Sequence, residues 1–235
     1  MKRIYASAIV VLALTGCQGE APVAQASAGA SPPAAPAPQG EEVPILALGD
    51  SLFAGYGLAP GQSYPDRLQA ALRTRGINAR IANAGVSGDT TAGGLQRLDF
   101  VLNGQARAPA LVVISLGGND MLRGLSPEQT RANLDAILSK LDQRGIPALL
   151  MGMLAAPNLG ADYRKQFDPI YPALAKKHDA GLVPFFLQPL IDRPELIQAD
   201  HIHPTSEGIE VMVDFTVDAV VKSLPVTKTA PPAPR

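Results

Sequence analysis

The residues best suited to chemistry lie in a few short blocks. In Ile45–Leu52, ILALGDSL, an apolar run ends in a glycine and the next turn presents Ser51. Side chains just past the carboxyl end of a strand in a parallel α/β sheet face the crevice where ligands bind. A serine delivered there is a candidate nucleophile, provided that a base and an oxyanion site converge on it. The chain has three histidines. His178 precedes Asp179-Ala180-Gly181 near an expected helix end, where a surface role against the helix dipole is expected. His201 and His203 both lie in ADHIHP beside Asp200 and compete for the part of general base. Gly88, in NAGVSGDTT, and Asn119, in LGGND, offer an oxyanion site. A glycine backbone can approach a ligand closely, and an asparagine amide donates without titrating. Singly, each reads as a turn glycine or a turn cap; together with a serine and a histidine they spell acyl transfer, the chemistry of a serine esterase.

Two other chemistries fit less well. A metal held by His201 and His203 lacks a further His or Cys cluster to complete it, so no metal and no cofactor are expected. Gly49 and Asp50 precede Ser51 and Leu52 follows it, which departs from the G-x-S-x-G elbow of α/β-hydrolases and argues against that fold. Asp50, Asp89 and Asp120 flank the candidate residues and read as loop-fixing acceptors.

The elements that must position these groups alternate between β-rich and amphipathic segments from residue 43 to 224, the pattern of an α/β domain with a parallel sheet. Strands are predicted at Val43–Leu48, Ile77–Asn83, Leu111–Leu116, Pro147–Met153 and Leu182–Phe185. Helices are predicted from Ser63 to Arg75 and from about Ala92 to Leu102. Ser126-Pro127-Glu128-Gln129 has the capping-box pattern of a helix start, and that helix should run to about Arg144. A helix over Tyr163–His178 carries Pro169 and Pro172 and should kink or break near them. The last helix is predicted from about Pro204 to Ser223. A TIM barrel needs eight strand–helix units and commonly more residues; a three-layer α/β/α sandwich on a five-stranded parallel sheet is the expected fold. The loops Leu52–Gln62 and Leu154–Tyr163 should wall an acyl pocket, with Leu154, Pro157 and Leu159 as candidate substrate-binding residues.

At 235 residues with a net charge of −1 and no tryptophan, the chain shows neither the basic stripe nor the stacking platform of a nucleic-acid binder. Lys2, Arg3 and the apolar Ile4–Leu14 read as an export signal over residues 1–16, too short to span a bilayer. Leu14-Thr15-Gly16-Cys17 resembles a bacterial lipobox, and Cys17, the single cysteine, is the candidate lipidation site. Acyl chains there would hold the protein on a membrane at about 0.8 kcal/mol per buried CH₂. Gln18, standing where an aspartate would resemble an inner-membrane retention signal, points to the outer membrane. Residues 17–42 and 225–235 are rich in alanine and proline and should form a disordered tether and tail. The expected protein is a monomer anchored to the cell envelope, facing the periplasm.

GDSL around Ser51, Gly88 in its block, G-x-N-D at Gly117–Asp120 and D-x-x-H at Asp200–His203 follow one another in that order. They resemble the four blocks of the SGNH hydrolases, the GDSL esterase/lipase family, over residues 43–224, and most nearly its bacterial thioesterase I, lysophospholipase L1 and arylesterase branch. The resemblance implies a flavodoxin-like fold and a triad of Ser51, Asp200 and His203. It favours His203 over His201 because the motif's aspartate lies three residues before its histidine. It implies oxyanion donors in the N–H groups of Ser51 and Gly88 and the amide of Asn119. His201 stands where relatives often carry glycine, which leaves its role open. Lysophospholipids and short- or medium-chain acyl esters are the implied substrates, with aryl esters as laboratory ones. A carbohydrate O-acetyl esterase or transferase, and a silent envelope-binding lipoprotein, are the alternatives.

Overall fold

Unbroken apolar runs form the middle of the sheet, and mixed ones form its edges. In the computed structural model, which describes residues 40–225, β1 (Val43–Gly49), β3 (Leu111–Ser115) and β4 (Ala148–Met151) are buried over most or all of their length. β2 (Ala79–Gly85) and β5 (Gly181–Val183) are partly exposed. The five strands are parallel in the order β2-β1-β3-β4-β5, as expected of strands covered by helices on both faces. The expected signal peptide, Cys17, and all but the inner ends of the expected tether and tail lie outside the described residues. Among the described residues, no helix is long and apolar enough to cross a membrane.

The helices are α1 (Ser51–Ala54), α2 (Tyr64–Thr74), α3 (Thr91–Asn103), α4 (Gly118–Leu122), α5 (Pro127–Gln143), α6 (Ala161–Phe167), α7 (Ile170–Lys177) and α8 (Ser206–Ser223). α2 packs with α8, and α3 with α5, which also meets α6 and α7. Their starts are written in the sequence. Ser63 Oγ accepts from Asp66 N, and Ser126 Oγ from Gln129 N at 3.2 Å, which satisfies N–H groups that the first helical turn leaves free.

The single helix predicted over Tyr163–His178 is two. Pro169 lacks an N–H and separates α6 from α7, whereas Pro172 sits in the first turn of α7, where no N–H is needed. β2 begins later than the predicted Ile77, because Ile77 N donates to Leu72 O at 3.1 Å and so closes the end of α2. α1 and α4 were not predicted; helices this short carry no readable periodicity.

His178 departs from its expected surface role. Its side chain is 5% exposed, with Nε2 2.6 Å from Asp135 Oδ1 and Nδ1 2.5 Å from Asp142 Oδ2. Burial works against protonation, but hydrogen bonds to the two carboxylates outweigh it and raise the pKa. The ring ties the end of α7 to α5.

What positions the candidate site is one rung of the sheet. Gly85, Gly49 and Ser115 lie side by side at the carboxyl ends of β2, β1 and β3. The turns carrying Gly88, Ser51 and Asn119 leave from that rung. β1 lies between β2 and β3, so the nucleophile turn sits where the strand order reverses, the usual ligand crevice of open α/β sheets. Gly85 lets α1 close over the strand end, since a Cβ there would lie 2.3 Å from Ala54 N.

Candidate active site

Ser51 opens α1 directly after the β1 turn. Asp50 caps that helix, its Oδ1 accepting from Leu52 N at 3.0 Å. Ser51 Oγ lies 2.8 Å from His203 Nε2, and His203 Nδ1 lies 2.6 Å from Asp200 Oδ2. The other carboxylate oxygen, Oδ1, accepts from the backbone N–H groups of Ile202 and His203, each at 3.0 Å. The backbone N–H of His203, its imidazole and the Ile202 N–H hold the Asp200 carboxyl well below the usual carboxylate range. An ionised Asp200 keeps the ring proton on Nδ1 and leaves Nε2 to accept from the Ser51 hydroxyl.

The loop bearing Asp200 and His203 is pinned at its base. Ile197 pairs with Pro204 in an antiparallel bridge, and Gln198 N donates to His203 O at 2.7 Å. Gln198 Nε2 also donates to Tyr56 O and Pro204 O, so the loop after α1 and the histidine loop are tied together. The Tyr56 ring stands 4.4 Å from the His203 ring, centre to centre.

Gly88 has φ +80°, the left-handed region that glycine enters without steric cost. Arg123 Nη2 donates to Gly88 O at 2.5 Å. Asn119 Nδ2 donates to Asp89 O at 2.9 Å, which fixes the amide plane; among the described residues the remaining hydrogen has only Asp50 Oδ2, at 3.4 Å. Among the described residues, neither the Ser51 N–H nor the Gly88 N–H donates to a protein acceptor. Asp120 is fully buried and accepts from Thr91 N and the Thr91 and Thr130 hydroxyls, a loop-fixing arrangement.

A cleft of about 460 Å³ opens over these groups, within the range of small-molecule sites. Its apolar walls are Leu52, Met121, Leu122, Met153, Leu187 and Ile202, and Tyr56 and His201 also line it. Leu154, Pro157 and Leu159 do not. Ala155 N donates to Asp168 Oδ1 at 2.8 Å and Ala156 N to Met121 Sδ at 3.2 Å. The segment is thereby tied down with Met153 towards the cleft and Leu154 41% exposed outside it. Met121 and Leu122 of α4, with Met153 from the turn after β4, thus line the cleft where the loop residues were expected to; α4 is one of the two short helices the sequence does not announce. His201 is exposed and has φ +60°, a conformation that explains why glycine would be at ease in its place. A cavity of similar size at the other end of the sheet, beside Val43, Pro44 and Ile77, has no serine or histidine in its wall. Among the described residues, no group of three or more His, Cys, Asp or Glu side chains could hold a metal ion.

Burial pushes the Asp50 carboxyl up to about 6, against the hydrogen bond from Leu52. A folded-state pKa raised above the unfolded value of about 3.8 favours the neutral acid, so its stabilising contribution is full below pH 4 and is lost as pH rises through 6. Asparagine keeps the acceptor for Leu52 N and cannot ionise. Asp50→Asn should therefore gain about 3 kcal/mol of stability relative to wild type between pH 4 and pH 7. Melting temperatures of both proteins across that range test this; a constant difference would contradict it.

Residues 47–211 match the GDSL-like Lipase/Acylhydrolase family. The chain is 38% identical over 180 residues to the arylesterase of Vibrio mimicus, covering 77% of this chain and 89% of that one. It is 37% identical over 171 residues to thioesterase 1/protease 1/lysophospholipase L1 of Escherichia coli K12, covering 73% and 80%. The crystal structure of the SGNH-hydrolase family esterase AlinE4 is 62% identical, covers 80% of this chain and 100% of that one, and superposes with a TM-score of 0.68. That esterase has also been solved with a serine, and separately with an aspartate, replaced by alanine.

Proposed function

The chain belongs to the GDSL-like lipase/acylhydrolase family and is an ester hydrolase, and from that premise we propose that Ser51, His203 and Asp200 are its catalytic triad. The observation that carries the reading is the unbroken line from Ser51 Oγ through His203 to Asp200, with steps of 2.8 and 2.6 Å. The serine and aspartate replaced in the AlinE4 variants are as far apart in sequence as Ser51 and Asp200, which supports it further.

Ser51 Oγ attacks the acyl carbonyl carbon while His203 Nε2 takes its proton. Negative charge gathers on the carbonyl oxygen, where the Ser51 and Gly88 N–H groups and the second hydrogen of the Asn119 amide meet it. The long Asn119–Asp50 contact yields to that oxyanion, whereas the shorter bond to Asp89 O keeps the amide in place. His203 returns the proton to the departing alcohol or thiol, leaving an acyl-serine. His203 then takes a proton from water, whose oxygen attacks the acyl carbon; the acyl bond to Ser51 Oγ breaks, the proton passes from His203 back to that oxygen, and the acid leaves.

The apolar walls of the cleft suit an acyl chain better than a sugar, so the substrates are lysophospholipids and short- or medium-chain esters, with aryl esters as convenient laboratory ones. We take the protein to be a monomer, since the triad and the proposed oxyanion donors of one copy complete the site without a second. We place the protein, exported and acylated at Cys17, on the periplasmic side of the envelope, at the outer membrane; the signal-like start of the sequence supports this. A fluorophosphonate probe tests the chemistry. Wild type should be labelled and Ser51→Ala should not; equal labelling of both, or none of a natively folded wild type, would overturn the reading.

A further inference from the structure

The three oxyanion donors leave from three different strands, and the rung of Gly85, Gly49 and Ser115 fixes the strands but not the turns beyond them. Something must hold those turns at a constant separation, because a donor displaced by about 1 Å forfeits much of its effect. The Arg97 side chain links the first two of them directly. Arg97, from the middle of α3, donates through Nε to Asp89 Oδ2 at 2.7 Å and through Nη2 to Gly49 O at 2.9 Å. Gly49 begins the turn of Ser51, and Asp89 adjoins Gly88. The carbonyl of Asp89 is also the acceptor that orients the Asn119 amide. Asp89 thus touches the framework of all three donors: as the neighbour of the second, as the anchor of the third, and through Arg97 as a partner of the first.

The fit around Asp89 is close. A Cβ on Gly93 would fall 1.9 Å from Asp89 Oδ1, so this carboxylate occupies space that only a glycine leaves. The pair is shielded, with Arg97 18% and Asp89 12% exposed. Shielded pairs are less weakened by water and salt than surface ones. A planar guanidinium can serve two acceptors in fixed directions, which an ammonium on a flexible stem cannot.

We propose that the Arg97–Asp89 pair is a brace that sets the spacing of the oxyanion donors, making Arg97 and Asp89 positioning residues for the esterase reaction. The inference rests on the roles proposed above for Ser51, Gly88 and Asn119. It predicts a loss in the transition state rather than in substrate binding. In the full-length protein acting on p-nitrophenyl butanoate, Arg97→Ala, Arg97→Lys and Asp89→Asn should each lower kcat by about ten- to a hundredfold. KM should stay within about twofold, since an interaction felt mainly in the transition state leaves ground-state binding alone. Added guanidinium should restore part of the activity of Arg97→Ala and none of that of Asn119→Ala. Where Arg97→Ala fails to fold, Arg97→Lys and Asp89→Asn carry the kcat–KM comparison. Values of kcat within twofold of wild type in both would overturn the proposal, as would a fall in melting temperature with no guanidinium rescue of a folded Arg97→Ala. Ser51→Ala distinguishes the two levels: if it keeps wild-type turnover, the site reading fails and the brace with it. If it is inactive while the Arg97 and Asp89 variants turn over normally, the brace alone fails.

Discussion

Replacing Ser51 by alanine lowers kcat by about 10⁶-fold, the scale seen when the nucleophile of a triad is removed. The substitution deletes one oxygen from a half-exposed site and takes nothing from the core. Among the described residues, its side chain bonds only to His203 Nε2. The circular dichroism spectrum and melting temperature should therefore match wild type, and the loss should appear in turnover alone. Activity within tenfold of wild type, in preparations free of contaminating esterase, would mean that this hydroxyl does not attack the substrate.

Asp200→Asn should cost about 10⁴-fold in kcat, for a reason that reaches beyond charge. Asp200 Oδ1 is held by the N–H groups of Ile202 and His203, so the asparagine oxygen will take that place. Its NH₂ then faces His203 Nδ1, which must become an acceptor. The ring proton moves to Nε2, and the nitrogen facing Ser51 becomes a donor, unable to remove the hydroxyl proton. Geometry survives and chemistry does not. Comparing steady-state kinetics of Asp200→Asn with those of wild type checks this, and a loss of less than tenfold would show that the carboxylate does not set the tautomer.

The sequence announced the strands, the caps and the chemical groups because each has a local cause. Ser63 and Ser126 cap helices through their own side chains, and the run Leu111–Ser115 is apolar because both faces of that strand are covered. The walls of the cleft were not legible. Met121 and Leu122 face it from α4, a single turn too short to show a period, and Met153 faces it because a distant carboxylate, that of Asp168, holds Ala155. Such choices belong to tertiary contacts. His178 caps the end of α7 as expected, but its burial is illegible for the same reason: Asp135 and Asp142, which make it a bridge, are far from it along the chain. Nothing local distinguishes Arg97 from the other arginines.

The strand polarity has a practical corollary. β1 starts at Val43, at the foot of the sheet, and the last turn of α8 returns there, so Val43 and Pro44 share a cavity wall with Lys222, Leu224 and Pro225. The described residues 40–225 therefore begin and end on the side away from the reaction. A fusion partner, an affinity handle or a solid support joined directly next to residue 40 or 225 would grip the domain from behind and leave its mouth facing outward.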